Sequence, residues 1–300
     1  MNINAAVLLA RQKETVIPAF NTPYLPMVAP VVKAVADENS VAIIHVARVE
    51  WEKFSAKSLE CVAEEYAKYR KPGHTFLGLD HVPALDEDQK KVDFLPIIRR
   101  AIDAGFQSVM IDGSRLNLEE NIYATRIVAE LVHKHDIACE GELGAVMGHE
   151  SGPLRPYEEI FANRLGFTNI EEAKRFVSES GCDWLSVAVG NIHGAVAEAT
   201  RHQKKPEARL DVEHIASLYR ETGLPLVLHG GSGINVDYIR KGIKAGIAKI
   251  NVGTEIRQAY ENTLKAENDA GSAQEAVYVR VREIIADMEI RNSHSVLFGV

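Results

Sequence analysis

The chain has 300 residues, 46% of them hydrophobic and 25% charged, with 42 acidic against 34 basic side chains and a formal charge of −8. That length and apolar content can bury a sizeable core, which excludes a disordered chain or a small disulfide scaffold; the three scattered cysteines, Cys61, Cys139 and Cys182, form no CxxC pair and so no cysteine zinc cluster. The acidic balance argues against nucleic acid or an anionic membrane surface as the main partner, while leaving room for a local basic pocket that holds a phosphorylated metabolite.

In chain order, the opening MNINAAVLLARQKETV carries neither a basic n-region nor a small-residue cleavage site, and no stretch approaches the ~18 apolar residues of a membrane span, so a cytoplasmic location is expected. Apolar runs follow at 15–21, 41–47, 74–81, 106–112, 137–144, 183–190, 225–230 and 248–253. Continuous apolar runs of this length suit strands buried on both faces of a parallel sheet. Amphipathic patterns lie between them, at 94–105, 119–135, 171–181 and 236–246, several ending at a glycine that suits a left-handed helix cap. This alternation predicts a (β/α)8 TIM barrel forming a single domain over 1–300. A loop at 145–168 with little periodicity is expected to be a mobile active-site lid, and a C-terminal helical extension is expected at about 273–291.

The polar residues at the C-terminal ends of these runs carry the chemistry. Asn21, Asp80 with His81, Asp112, Glu142, His193, His229 and Asn251 all stand where a barrel gathers its strand ends around one mouth. His81, His193 and His229 make a three-imidazole ligand set for Zn²⁺ with an open position. Asp80 precedes His81, and neighbours in an extended strand face opposite ways, so a turn at the strand end is needed for both to reach the mouth. Asp112 and Glu142 could hold a second cation or support the histidines; spacing does not separate the two roles. Glu140 is expected to point into the wall. Gly230, Gly231 and Ser232 after the seventh run, and Asn251, Val252, Gly253 and Thr254 after the eighth, suit a phosphate cradle of backbone N–H groups and hydroxyls. Glu150, near the start of the long loop, is the candidate mobile base.

Taken together, AFN (19–21), LDH (79–81), SVMIDGS (108–114), EGELG (140–144), EEAKRFV (171–177), GNIHG (190–194), LVLHGGSG (226–233), KINVGTE (249–255) and YVRV (278–281) resemble the class II, zinc-dependent ketose-bisphosphate aldolases. The resemblance implies zinc on His81, His193 and His229, with a second divalent cation or an alternative zinc position at Asp112 and Glu142, and a monovalent cation as a further candidate. It implies reversible cleavage of a phosphorylated ketose to dihydroxyacetone phosphate and an aldehyde, through a zinc-stabilised enediolate. Asp80 would serve the aldehyde oxygen. Glu150 follows Glu142 by 8 residues, the family's interval to its mobile base. Gly194, Gly230 to Ser232 and Asn251 to Thr254 would hold dihydroxyacetone phosphate, and Arg280 the phosphate on the aldehyde side. A homodimer or homotetramer is implied as well. The competing readings are a metal-dependent isomerase or epimerase on the same barrel, and a non-catalytic accessory subunit.

The chain departs from the family pattern at four places. Gly78 stands where the string HLDHG has its first histidine; Ala47 followed by Arg48 stands where many members have a serine; Met147 replaces one glycine of the loop pair; and Gly190-Asn191-Ile192-His193 replaces the commoner GTAHG. These changes cluster on the aldehyde side, so an unusual aldehyde is expected, with Arg48 among its contacts.

Overall fold

In a computed structural model, which describes residues 2–86, 88–145, 156–191 and 208–299, the expected alternation closes on itself. The strands are β1 (Ile17–Asn21), β2 (Ala42–Ala47), β3 (Thr75–Pro83), β4 (Ser108–Asp112), β5 (Ala138–Leu143), β6 (Trp184–Val187), β7 (Leu226–Leu228) and β8 (Ile247–Val252). Every neighbouring pair is parallel, and β8 pairs with β1 to complete the barrel. The continuous apolar runs are explained by this closure: one face of each strand packs against helices and the other against the barrel interior, so all of β1, β2, β5 and β8 is buried.

The helices Phe94–Asp103, Leu118–Val132, Ile170–Ser180 and Val236–Ala245 fall where the amphipathic patterns place them. Asn169 caps one of them by accepting from the Glu172 N–H, and Gly181 ends it at φ +71°, a conformation open to glycine. A short helix, Tyr157–Ala162, lies inside the segment read as a loop; the Tyr157 hydroxyl anchors it by donating to the carbonyls of Gly190 and Arg209. Residues 146–155, with Glu150, lie outside the described residues, as do 192–207, with His193 and Gly194. Toward the C-terminus stand the helices Ala270–Asp287 and Ser293–Phe298.

The interior of the barrel is layered. At the end where the strands begin, Ile17, Ile43, Phe76, Trp184 and Val227 pack together, and the helix Ile3–Gln12 seals them with Ile3, Ala6, Val7 and Ala10. Trp184 donates its indole N–H to Asn4, whose amide donates in turn to Asp183, pinning that helix across the barrel floor. Because side chains alternate along a strand, the inward positions two and four residues further up the same strands are the ones that reach the mouth.

Candidate active site

Asp80 and His81 both reach the mouth because β3 is irregular there. Its register with β4 shifts between Leu79 and Val82, and His81 takes φ +24°, in the left-handed range that non-glycine residues avoid. This bulge turns two adjacent side chains to the same cavity, which a regular strand cannot do.

Asp80 is buried and held at both oxygens. Asn21 Nδ2 donates to Oδ2 at 2.8 Å and Asn251 Nδ2 to Oδ1 at 2.9 Å. Burial opposes its charge, yet the charged His81 imidazole above all, with the Lys249 ammonium, holds the carboxyl far below the usual carboxylate range. Beside it, His81 Nε2 lies 2.8 Å from His229 Nδ1, and His81 Nδ1 lies 3.3 Å from Asp112 Oδ2. Asp112 also accepts from the N–H and hydroxyl of Ser114. Burial opposes a charge on His81, but Asp80, Asp112 and Glu142 outweigh it and raise its pKa to about 10. Glu142, buried and facing Asp112, is pushed well above the ordinary carboxyl value by that burial and that like charge.

Glu140 does not point into the wall. It is two residues from Glu142 and therefore shares its inward face. Its Oε1 takes His229 Nε2 at 2.7 Å, and its Oε2 accepts from Lys249 Nζ at 2.7 Å. Lys249 is fully buried and also donates to Asn251 Oδ1 at 2.7 Å. A carboxylate can only accept, so His229 carries its hydrogen on Nε2 and leaves the Nδ1 lone pair facing His81. Burial keeps the His229 ring below its ordinary pKa. Such an oriented imidazole is what a metal ligand requires of its outer partner.

The donor atoms of Asp80, His81 and His229 all lie within 4.8 Å of one another, as do those of His81, Asp112 and Glu142. Two imidazole nitrogens facing each other with carboxylates alongside fit a borderline divalent cation of the zinc type. The residues expected at the mouth are therefore brought together, apart from His193, Gly194 and Glu150, which fall outside the described residues.

The two glycine loops lie side by side. The Gly231 N–H donates to the Asn251 carbonyl at 3.1 Å, and a Cβ on Gly231 would stand 2.5 Å from Ile250 Cγ2, so no side chain fits between the loops. Gly230 bends the chain at φ +63°, and Gly253 lies against Asn21. Gly231, Ser232, Val252, Thr254 and Arg280 share a cavity of about 690 Å³. Arg280 is ion-paired there with Glu255 and with Glu283, and Glu255 also accepts from the Gly233 N–H at 3.0 Å. Arg48 pairs with Glu52 at 2.9 Å and lines a smaller cavity with His81, Asp112 and Arg115. Asn191 has a bracing part: its amide donates to the His229 carbonyl and accepts from the Val189 N–H.

Sequence reasoning missed Glu140, Lys249, His45, Glu50 and Arg115. For the first three the signal was available, since each lies two residues below an expected or aligned mouth position (Glu142, Asn251 and Ala47) and so on the same face. Glu50 reaches the site from the helix Arg48–Lys53, where its carboxylate accepts from the Ala47 N–H at 2.8 Å.

Comparison with known proteins agrees with this geometry. The family described as fructose-bisphosphate aldolase class-II matches residues 1–295. A 6-phospho-5-dehydro-2-deoxy-D-gluconate aldolase from Shouchella clausii is 37% identical over 167 residues, an alignment spanning 56% of this chain and 52% of that enzyme's length. Among solved structures, the YdjI aldolase of Escherichia coli K12 superposes with a TM-score of 0.77 at 27% identity, covering 98% of each chain. A putative fructose-1,6-bisphosphate aldolase from Coccidioides immitis does so at 0.76 with 25% identity over 97% of each. With the family's pattern matched along nearly its whole length and the strand-end residues gathered at one mouth, the chain belongs to the class II fructose-bisphosphate aldolase family.

Proposed function

We propose that this protein is a divalent-metal-dependent aldolase that reversibly cleaves a ketose phosphate to dihydroxyacetone phosphate and an aldehyde. The observation that carries the reading is the approach of His81 Nε2 to His229 Nδ1, at 2.8 Å, beside an Asp80 carboxylate clamped by Asn21 and Asn251. His81 and His229, with His193 by the family pattern, would hold a zinc ion, which when bound supplies Lewis acidity to the oxygens of the substrate.

The remaining work belongs to the side chains. Asp80, ionised and aimed into the mouth, takes the proton of the C4 hydroxyl as the C3–C4 bond breaks, so that oxygen leaves as the aldehyde carbonyl. The electron pair of that bond stays on C3, and Glu150 returns a proton there. Gly231, Ser232, Gly253 and Thr254 bind the phosphate of the triose half, orienting the reacting bond with binding energy remote from it. Arg48 and Arg115 flank the cavity beside His81 and Asp112 and would receive the far end of the substrate. Two guanidinium groups suit an anionic end. The Shouchella clausii relative is named for a phosphorylated sugar acid, which agrees with that chemistry. Assembly as a dimer or tetramer completes the proposal.

The test is a coupled assay for triose phosphate across a panel of ketose phosphates, with and without a chelator. Chelator-sensitive cleavage favouring a substrate with a carboxylate end is expected. Efficient turnover of fructose or tagatose 1,6-bisphosphate would remove the unusual aldehyde, and chelator-insensitive cleavage would remove the metal.

A further inference from the structure

One histidine inside the barrel takes part in none of the hydrogen bonds described above. His45 lies on β2 opposite Gly78 of β3, on the inward face and one layer below Asp80. It is 1% exposed, and among the described residues neither ring nitrogen has a hydrogen-bond partner. Nδ1 lies 3.7 Å from Asp80 Oδ1. Buried polar groups left unpaired are rare and cost stability, so an imidazole kept here calls for a reason other than packing.

Gly78 explains how the ring fits. A Cβ at that position would stand 2.6 Å from His45 Cδ2 and Nε2, and equally close to Ser108 Oγ. The imidazole therefore occupies the interior space that a side chain at position 78 would otherwise fill. Burial, reinforced by the Lys249 charge, drives its pKa down to about 3, so the ring is neutral and one nitrogen is a donor. With the hydrogen on Nδ1, it faces the Asp80 carboxylate from below while Asn21 and Asn251 hold the same carboxylate from the sides.

We propose that His45 is a positioning residue for Asp80, placing from β2, through the gap left by Gly78, a ring nitrogen 3.7 Å from Oδ1 that, alongside the two amide hydrogen bonds, orients the carboxylate beneath the bond being broken. The inference rests on the role given to Asp80 above and adds the group that sets its orientation. A carboxylate displaced downward into the barrel would still bind substrate but would meet the hydroxyl proton poorly.

The experiment separates Asp80 chemistry from the rest of the reaction. His45→Leu keeps the space filled and removes both nitrogens. It should lower kcat for ketose phosphate cleavage roughly 10–100-fold, the size of effect that a misplaced group produces, with KM little changed. Proton exchange at C3 of dihydroxyacetone phosphate, which does not use Asp80, should continue at the wild-type rate. His45→Asn, which returns an amide near Nδ1, should regain part of the loss. The transposed variant His45→Gly with Gly78→His, which restores the ring from the neighbouring strand, should do the same, and it decides the matter should His45→Leu fail to fold. Cleavage and exchange falling together, neither falling, or a folded transposed variant without recovery would each overturn the proposal. Wild-type protein that shows neither cleavage nor exchange would instead retire the aldolase reading itself.

Discussion

The floor and the mouth of this barrel are built by the same strands and differ in almost every physical respect. Ile17, Phe76, Ala138 and Val227 face inward near the floor, in an apolar cluster capped by the helix Ile3–Gln12. Two or four residues further along the same inward faces stand Asn21, Asp80, Glu142 and His229, all buried and all polar. Four residues of strand rise about 13 Å, so this is the whole distance between packing and chemistry. The strands hold both ends rigid. What differs is that the mouth stacks charges out of water, a cost that only close pairing offsets.

The largest expected effect that separates the two ends is at His229. His229→Ala should abolish chelator-sensitive cleavage, a loss exceeding the roughly 10–100-fold typical of a ligand's outer partner, and lower bound metal in elemental analysis. The floor is untouched, so circular dichroism should remain that of a folded barrel. Near-normal turnover would mean that the mouth histidines are not the ligands.

Next in size is Lys249, whose ammonium is the sole cation touching Glu140 among the contacts described, at 2.7 Å. Lys249→Met leaves that carboxylate buried without its cation and should cost about 3–5 kcal/mol in urea unfolding. It should also weaken metal binding and activity roughly 10–100-fold, through the loosened His229. Pairing it with Glu140→Gln removes the stranded charge, so stability should return while activity does not. If activity followed stability in the double variant, the Lys249–Glu140–His229 chain would be structural only.

At the floor the signs should reverse. Trp184 is fully buried and holds Asn4 through its indole N–H at 3.0 Å. Trp184→Ala should cost about 3–5 kcal/mol of stability, yet the molecules that remain folded should cleave substrate at the wild-type rate. A matching loss of kcat per folded molecule would show that floor and mouth are coupled, contrary to their layered separation.

The expected strands and their polar ends were legible because each inward face changes from apolar to polar within one run, as from Phe76 to Asp80. The residues beneath the mouth were not read, because a lysine or glutamate inside an apolar run looks like an outward-facing exception. Lys249 in AKINVG and Glu140 in IACEGELG are instead each other's partners across the barrel, and only the closure of the sheet brings them together. The bulge at His81 is likewise a matter of register between β3 and β4, which spacing along one strand does not contain. Glu50 required more still, since it enters from a helix that follows β2 and folds back on the Ala47 N–H.

Glu50 also gives the finest test of what the mouth costs. Its carboxyl is buried with Asp80 nearby, and burial, more than the hydrogen bond from Ala47 can offset, raises its pKa from 4.5 to about 8. Below pH 4.5 the group is protonated in folded and unfolded chains alike and has no effect on their balance. Between 4.5 and 8 the unfolded chain releases the proton and the folded one retains it, so stability falls as pH rises; above 8 the loss is complete. Glu50→Gln removes this slope. At pH 8 the variant should be more stable than wild type by roughly 3–5 kcal/mol, and near pH 4.5 the two should unfold at the same urea concentration. Parallel stability curves across that range would place the Glu50 carboxyl in contact with water, and the polar interior of the barrel would then end at Asp80.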